Sequence, residues 1–167
     1  MLPLGYSPVK KGKDSLELLN NKFPKKGFKE MEKIANKYGE IEFVMPLHPN
    51  PDVQKHGGIL KKIKVIKPMG HEELINYVKT CKFVISDSGG LQEECSYLNK
   101  KIIVCRRSTE RPESIGIHSF MCEEPRLLED MVDKINKRYV VNEKCPYGDG
   151  ESWKKIVKIF EKEICDL

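Results

Sequence analysis

The chain has 167 residues, which is enough for one domain of ordinary size and too few for two. Hydrophobic residues make up 39% of it and charged residues 33%, and no apolar run approaches the ~20 residues that a membrane-spanning helix needs. This composition predicts a soluble globular protein, and it excludes a transmembrane protein and a wholly disordered one.

The formal net charge is +5, and 25 of the 30 basic residues are lysine. The lysines are spread along the chain, and no basic run is interleaved with aromatic side chains. A solvated, lysine-rich surface is therefore the better interpretation, and we expect no nucleic-acid partner.

The cysteines are spaced too widely for the Cys-x-x-Cys pairs of zinc and redox sites. They are Cys81, Cys95, Cys105, Cys122, Cys145 and Cys165. The N-terminal residues also lack the apolar segment of a secretory signal. We therefore expect reduced thiols, a cytoplasmic protein, no metal site and no membrane partner.

Residues 1–26 are predicted to form an N-terminal arm or linker, and residues 27–167 a single domain. The arm is rich in glycine, proline and lysine, and only residues 15–20 indicate a short helical turn. Regular alternation of helices and strands begins at residue 27.

Short apolar strands alternate with amphipathic helices along the predicted domain. The predicted helices span 27–38, 71–79, 90–98, 124–137 and 151–164. The predicted strands are Ile41–Met45, Ile63–Ile66, Phe83–Ile85 and Ile102–Val104. In the helix at 124–137, the spacing predicts five inward residues: Leu127, Leu128, Met131, Val132 and Ile135.

This alternation is typical of an α/β, Rossmann-like fold, in which a parallel sheet carries helices on both faces. Ligands of such sheets bind beyond the carboxyl ends of the strands. The segments that follow the predicted strands, and therefore the candidate site, are 46–53, 67–71, 87–94 and 106–116.

Residues 86–94, with the sequence SDSGGLQEE, follow the third predicted strand and open a helix. Small residues there let a ligand approach the backbone, and the N–H groups at a helix start suit a phosphate. Ser88 adds a hydroxyl donor, and Glu94, about one turn into the helix, offers a carboxylate to the hydroxyls of a sugar. The alternative is a helix cap and a tight turn that bind no ligand.

Three of the five arginines lie within residues 106–111, after the fourth predicted strand. A guanidinium presents a planar fork of donors that suits phosphate, which lysine does not. The alternative is a surface loop in which these arginines pair with Glu110 and Glu113.

His48 lies between Pro46 and Pro49, after the first predicted strand. A histidine held rigidly at a strand end can donate to a phosphate or move a proton, although a lone histidine is more often structural. The other histidines, His56, His71 and His118, are assigned no role. The segment PYGDG at 146–150 is typical of a turn, with Asp149 near the start of the last helix.

Four of these segments, taken in order, resemble the non-hydrolysing bacterial and archaeal UDP-N-acetylglucosamine 2-epimerases. They are HPNP at 48–51, DSGGLQEE at 87–94, TERPE at 109–113 and PYGDG at 146–150. The likeness runs from about residue 28 to the C-terminus. It implies one lobe of a glycosyltransferase-B-type fold, the C-terminal lobe that holds UDP, with the UDP-sugar in a cleft between two such lobes.

The resemblance also implies roles for individual residues. The UDP-binding positions of the family match Ser88, Gly89, Gly90, Glu94 and Arg111. The serine and the glycine amides would hold phosphate, while Glu94 would bind the ribose and Arg111 the diphosphate. His48 matches the active-site histidine of the family and is the candidate catalytic residue.

The implied reaction interconverts UDP-N-acetylglucosamine and UDP-N-acetylmannosamine, an isomerisation that serves the synthesis of cell-surface polysaccharides. A base removes the C2 proton and UDP leaves C1, after which both return to a glycal intermediate. The resemblance implies no metal and no redox or other cofactor.

Three features depart from the family pattern. The N-terminal lobe is missing, and with it the carboxylates expected to serve as acid and base. Residues 1–26 do not match the Thr-x-His-Arg-x-Glu-Asn strand of the family. Residues 67–74 replace a more aromatic stretch and place Leu74 near the position of a ring that packs on uracil. We therefore expect a chain that binds UDP and is inactive alone.

Two other functions stay open, namely a non-catalytic nucleotide-sugar-binding module and a lobe of a UDP-sugar glycosyltransferase. The last predicted helix carries one apolar stripe, formed by Trp153, Ile156, Val157, Phe160 and Ile164. Such a stripe packs on its own sheet, packs on a partner, or stays exposed. We expect a homo-oligomer or a separate N-terminal lobe as the partner, besides the UDP-sugar ligand.

Overall fold

The computed structural model of the chain describes residues 2–3 and 23–165, with side chains for residues 26–162. The helical turn predicted at 15–20 lies outside the described residues. The division of the chain into an arm and a domain at residue 26 stays a prediction.

The described residues form six strands and six helices. The strands are β1 (Leu2–Pro3), β2 (Phe43–Pro46), β3 (Lys64–Ile66), β4 (Phe83–Ser86), β5 (Lys101–Val104) and β6 (Ser119–Met121). The helices are α1 (Phe23–Lys37), α2 (Pro51–Gln54), α3 (His71–Thr80), α4 (Gly89–Tyr97), α5 (Leu128–Lys137) and α6 (Ser152–Cys165). Short 3-10 turns lie at Gly57–Ile59, Pro112–Ser114 and Pro125–Leu127.

All of these strands pair in parallel. β1, β2 and β3 form one three-stranded sheet, and β4, β5 and β6 form another. Because β1 also lies against β4, the strands follow the spatial order 3-2-1-4-5-6 of a doubly wound α/β fold. The predicted α/β class with a parallel sheet is confirmed.

Helices cover both faces of the sheet. Successive side chains of a strand point to opposite faces. Phe83 and Ile85 therefore join a core cluster with residues of α1 and α5, whereas Val84, between them, joins a second cluster with residues of α3 and α4. The prediction of helices on both faces is confirmed as well.

The first helix begins at Phe23, four residues earlier than the sequence indicated. Pro24, which lies in the predicted arm, is the second residue of the helix, where a missing N–H removes no intrahelical bond. Phe28, Met31, Ile34 and Ala35, which recur at helical spacing, are all buried.

Other details of the prediction are wrong as well. Leu127 was placed on the inward face of a helix at 124–137, but it is 39% exposed. It lies in the 3-10 turn that precedes α5, and the tighter winding of that turn changes the direction of its side chain. The prediction also missed β6, because three residues that begin with Ser119 show neither apolar continuity nor alternation.

The apolar stripe of α6 is exposed in the described chain. Trp153 is 60% exposed and Phe160 is 63% exposed, and Ile156, Val157 and Ile159 are exposed as well. The side chain of Ile164 lies outside the described residues. The rest of the stripe does not pack on the chain's own sheet, and its packing on a partner stays a prediction. No helix in the described ranges is long and apolar enough to cross a membrane.

Candidate functional site

The residues predicted to bind a ligand lie at one edge of the sheet. His48 follows β2, Ser88 and Gly89 follow β4, and Arg111 lies in the loop after β5. Because the strands are parallel, their carboxyl ends meet at this edge. The contacts described below connect these segments to one another.

Ser88 caps the helix that opens the site. Its Oγ accepts a hydrogen bond from the N–H of Leu91 at 3.4 Å, and its own N–H donates to Ser86 Oγ at 3.0 Å. The helix cap considered as an alternative to ligand binding is therefore present. A hydroxyl that accepts one bond keeps its proton for donation, so the cap leaves Ser88 able to donate to a phosphate.

Gly89, the first residue of α4, lies directly beneath Arg111. A Cβ built at Gly89 would collide with Arg111 Nη1 and with Glu110 Oε1. At the next residue, Gly90, a Cβ would meet only Ser88 Oγ, at an ordinary 3.8 Å. A side chain at Gly89 would therefore displace the ends of the Arg111 and Glu110 side chains, whereas one at Gly90 would displace nothing, because a guanidinium lies across the helix start.

Two carboxylates pair with the guanidinium of Arg111. Nε donates to Glu93 and Nη1 donates to Glu110, which also accepts from Arg106 at 3.0 Å. The bond to Glu93, more than any other contact, raises the pKa of Arg111. The salt-bridged surface loop considered from the sequence is thus present in part, through Glu110. Glu113 forms no ion pair with the described residues.

The ring of His48 is held by the backbone that follows it. Its Nδ1 accepts a hydrogen bond from the N–H of Asn50 at 3.0 Å. Gln54 donates to the carbonyl oxygen of His48 at 2.8 Å. When Nδ1 accepts a bond, the proton of a neutral imidazole is on Nε2. The neutral ring of His48 therefore carries its proton on Nε2.

Asp87, which was assigned no individual role from the sequence, lies between β4 and the start of α4. Burial raises the pKa of this carboxyl, while a backbone hydrogen bond and the charge of Arg106, and that of His48 when its ring is protonated, act in the opposite direction. The effect of burial is the largest, so the ionised carboxylate carries a desolvation penalty that its neighbours offset only in part.

The buried amide of Gln92 holds the arginine-bearing loop against α4. Nε2 donates to the carbonyl oxygen of Arg111 at 2.7 Å and to Ser114 Oγ at 3.2 Å. Oε1 accepts from the hydroxyl of Thr109 at 2.7 Å. Gln92 is fully buried, so these bonds satisfy a polar group that has no access to water.

Tyr147, in the PYGDG turn, supports the same loop from the other side. Its hydroxyl donates to the carbonyl oxygen of Arg111 at 3.0 Å and lies 3.0 Å from Ser114 Oγ. In the same turn, Asp149 accepts the N–H of Glu151 at 3.0 Å just before α6, as the turn interpretation expected.

Neither Gln92 nor Tyr147 was predicted from the sequence to be part of the site. A signal for Gln92 was present, because it lies three and four residues before Cys95 and Ser96 and therefore shares the buried face of α4. Nothing in the sequence indicated where the Tyr147 hydroxyl would point, since its partners lie more than 30 residues away.

Glu94, the candidate ribose ligand, is also engaged within the protein. His71 Nε2 lies 2.6 Å from Glu94 Oε1. His71 is the first residue of α3, and the sequence analysis assigned it no role.

Within the described residues, no cluster of three or more His, Cys, Asp or Glu side chains is arranged to hold a metal ion. Five cysteines there are free thiols: Cys81, Cys95, Cys105, Cys122 and Cys145. Burial raises the pKa of Cys81 to about 11, so this thiol is protonated near neutral pH.

Comparison with known proteins assigns the chain to a family. A family model described as UDP-N-acetylglucosamine 2-epimerase matches residues 19–161. The chain belongs to the UDP-N-acetylglucosamine 2-epimerase family. The resemblance inferred from the four motifs is confirmed.

Individual relatives agree with this assignment. The UDP-N-acetylglucosamine 2-epimerase of Campylobacter jejuni is 37% identical over 145 residues, which are 77% of this chain and 37% of the relative. That of Methanococcus maripaludis is 36% identical over 137 residues, which are 75% of this chain and 36% of the relative. The chain thus spans little more than a third of the length of the curated relatives it matches.

Solved structures agree on the fold. The UDP-GlcNAc 2-epimerase of Neisseria meningitidis, crystallised with UDP-GlcNAc, matches with a TM-score of 0.76 and 27% identity over 86% of this chain and 42% of that one. A heptosyltransferase of Escherichia coli matches with a TM-score of 0.57 at 13% identity, which is a likeness of fold alone. The chain is one lobe of a glycosyltransferase-B-type fold, as predicted.

We predict that the contacts of Gln92 contribute more to stability than those of Tyr147. Gln92→Leu would leave three polar groups without this partner and lower the free energy of unfolding by about 2–4 kcal/mol. Tyr147→Phe removes one hydrogen bond, and we expect a loss of about 1 kcal/mol. Urea unfolding measures both, with the exposed Tyr97→Phe as the control. A Gln92→Leu variant as stable as wild type would show that the network does not hold the loop.

We predict that Asp87→Asn stabilises the protein at neutral pH and that the gain shrinks on acidification. The folded-state pKa of Asp87 is raised above the value of about 3.9 in an unfolded chain. The stability linked to this carboxyl is therefore complete below pH ~4 and is lost as the pH rises through the folded-state pKa. Asparagine does not ionise and escapes this loss.

Urea unfolding between pH 3 and pH 7 tests the prediction for Asp87. Asp52→Asn is the matched control, because its bond to Lys55 lowers the pKa of Asp52 and reverses the sign of the effect. A gain from Asp87→Asn that is constant over this pH range would contradict the prediction.

Proposed function

We propose that this chain is the UDP-binding part of a UDP-N-acetylglucosamine 2-epimerase. The observation that carries the proposal is the position of Arg111 across Gly89, at the start of α4. N–H groups at a helix start and a guanidinium beside them form a site for a diphosphate. The family match and the bound UDP-GlcNAc of the Neisseria relative support the choice of UDP.

In this proposal Ser88 and the amides of Gly89 and Gly90 bind phosphate, and Arg111 binds the diphosphate. Glu93 and Glu110 hold the guanidinium until the ligand arrives, and the phosphate oxygens then take over part of their place. Since carboxylate and phosphate oxygens pair with the same fork of donors, the exchange costs Arg111 little reorganisation.

The proposed role of His48 is to donate from Nε2 to the phosphate of the leaving UDP. The bond from Asn50 to Nδ1 supports it, because it selects the ring tautomer with a proton on Nε2. The groups that take and return the C2 proton are carboxylates of another lobe in this proposal. No metal or redox cofactor takes part.

The exposed stripe of α6 supports the proposal of a partner, either a second copy of the chain or a separate N-terminal lobe. Exposed apolar patches of this kind mark interaction surfaces. We further propose a cytoplasmic protein that serves polysaccharide synthesis, and the free thiols agree with a reducing compartment.

A non-catalytic nucleotide-sugar-binding module is the second candidate. In our proposal the groups that hold the diphosphate, at the start of α4 and on Arg111, all lie within the described residues of this chain. They account for binding and do not by themselves account for epimerisation. A glycosyltransferase lobe has only the fold-level likeness to the heptosyltransferase in its favour.

We predict that Arg111→Ala weakens UDP binding about 10- to 100-fold, since a charge-assisted hydrogen bond contributes about 1.5–3 kcal/mol. Arg111→Lys should weaken it less, because lysine keeps the charge and loses the fork. Calorimetric titration with UDP measures both variants. Arg126→Ala is the control, because Arg126 pairs with Glu124 on the exposed surface. Unchanged UDP affinity in Arg111→Ala would show that Arg111 forms only a structural ion pair.

We predict that the chain alone binds UDP and does not convert UDP-GlcNAc into UDP-ManNAc. Epimerisation needs a base on one face of C2 and an acid on the other, and His48 cannot serve both. An NMR assay for UDP-ManNAc, run beside gel filtration, tests this. Turnover by a monomer would overturn the requirement for another lobe.

Addition of the separately expressed N-terminal lobe of a relative distinguishes the two candidate functions. Restored turnover that His48→Ala lowers, with most UDP affinity kept, supports the epimerase. UDP binding without turnover in the assembled complex supports the binding module.

A further inference from the structure

His71 and Glu94 join two helices at the ligand edge of the sheet. His71 is the first residue of α3, and Glu94 lies in the second turn of α4. The two helices pack on the same face of the sheet, where Leu74 and Val78 of α3 share a core cluster with Leu91 of α4. The distance of 2.6 Å from His71 Nε2 to Glu94 Oε1 is that of a short hydrogen bond.

The stability of α3 does not explain the position of this histidine. A helix start favours acidic side chains, and the next two residues, Glu72 and Glu73, are acidic. A histidine at the first position adds nothing to that effect and opposes it when protonated. The side chain of His71 is also 73% exposed, so the pair contributes little to folding. Its contact with Glu94 therefore calls for an explanation outside the helix.

The contact leaves Glu94 with room for two more hydrogen bonds. An ionised carboxylate has about four acceptor positions, two on each oxygen. His71 uses one position on Oε1, and within the described residues Oε2 has no hydrogen-bond partner. A glutamate that is held at one oxygen loses much of its rotamer freedom before any ligand binds.

We propose that His71 is a positioning residue that orients Glu94 toward the two ribose hydroxyls of a uridine nucleotide. This inference rests on the proposed function, in which Glu94 binds the ribose. His71 thereby increases the preference of the site for a nucleotide with an intact 2′,3′-diol over one without it. His71 itself contacts neither the diphosphate nor the base in this arrangement.

The test is the ratio of the dissociation constants for 2′,3′-dideoxy-UDP and UDP, measured by calorimetry on the full chain. In wild type the ratio should be about 10 or more, since a hydrogen bond to a charged group is lost with the diol. His71→Ala should lower this ratio about two- to fivefold through weaker UDP binding, with the affinity for the dideoxy analogue unchanged.

Three variants make the result specific. His71→Gln retains a side-chain N–H donor of similar reach and should restore most of the ratio. Glu94→Gln by itself should lower the ratio. The double variant that carries both Glu94→Gln and His71→Ala should have the same ratio as Glu94→Gln. Glu72→Ala, on the same exposed turn, is the control and should keep the wild-type ratio. Thermal unfolding checks that every variant is folded.

The outcomes separate this inference from the function it rests on. An unchanged ratio in His71→Ala, or tighter UDP binding, would overturn the positioning role while UDP binding stands. An equal loss of affinity for UDP and for the dideoxy analogue in His71→Ala would also overturn it, because the effect would then not depend on the ribose diol. A wild-type chain that does not bind UDP would overturn the proposed function and this inference with it.

Discussion

The site depends on one buried amide. Gln92 lies on α4, the helix whose start forms one half of the candidate phosphate site, and it binds the loop that carries the other half, Arg111. Because the amide is fully buried, an arrangement that left it unpaired would cost several kilocalories per mole, whereas a solvated loop would have many arrangements of similar energy. The hydrogen bonds of the buried Gln92 amide thus fix the position of the loop that carries Arg111.

The charged side chains around α4 are also held in place by their partners. Arg111 and Arg106 bring two positive charges to the site, and Glu93 and Glu110 keep them paired. Unpaired, these side chains would repel each other and sample many rotamers. Paired, they are already oriented at the place where a diphosphate would bind, so less ordering remains to oppose binding. In the proposed function, these ion pairs therefore prepare the site for a ligand and are not an alternative to ligand binding.

The sequence predicted the architecture well and the polar contacts poorly, for a physical reason. Strands such as Phe83–Ser86 are recognised by a continuous apolar run, and helices such as α1 by apolar periodicity, and both patterns are visible within a short window. β6 shows neither pattern. This three-residue strand depends on pairing with its neighbour β5, which its own sequence does not reveal. Gln92 and Tyr147 act through partners 17 to 36 residues away, and no local pattern encodes such contacts.

The candidate site residues show where a motif is informative. The motif residues Gly89 and Arg111 meet in space, and a side chain at residue 89 would displace the guanidinium from the helix start. Ser88 proved to be a helix cap, yet capping uses only its lone pair and leaves its proton. Function and structure therefore do not compete for that residue. In the proposed function, the groups at the start of α4 hold the leaving diphosphate and His48 donates a proton to it. The acid and base for C2 would then come from carboxylates of a second lobe.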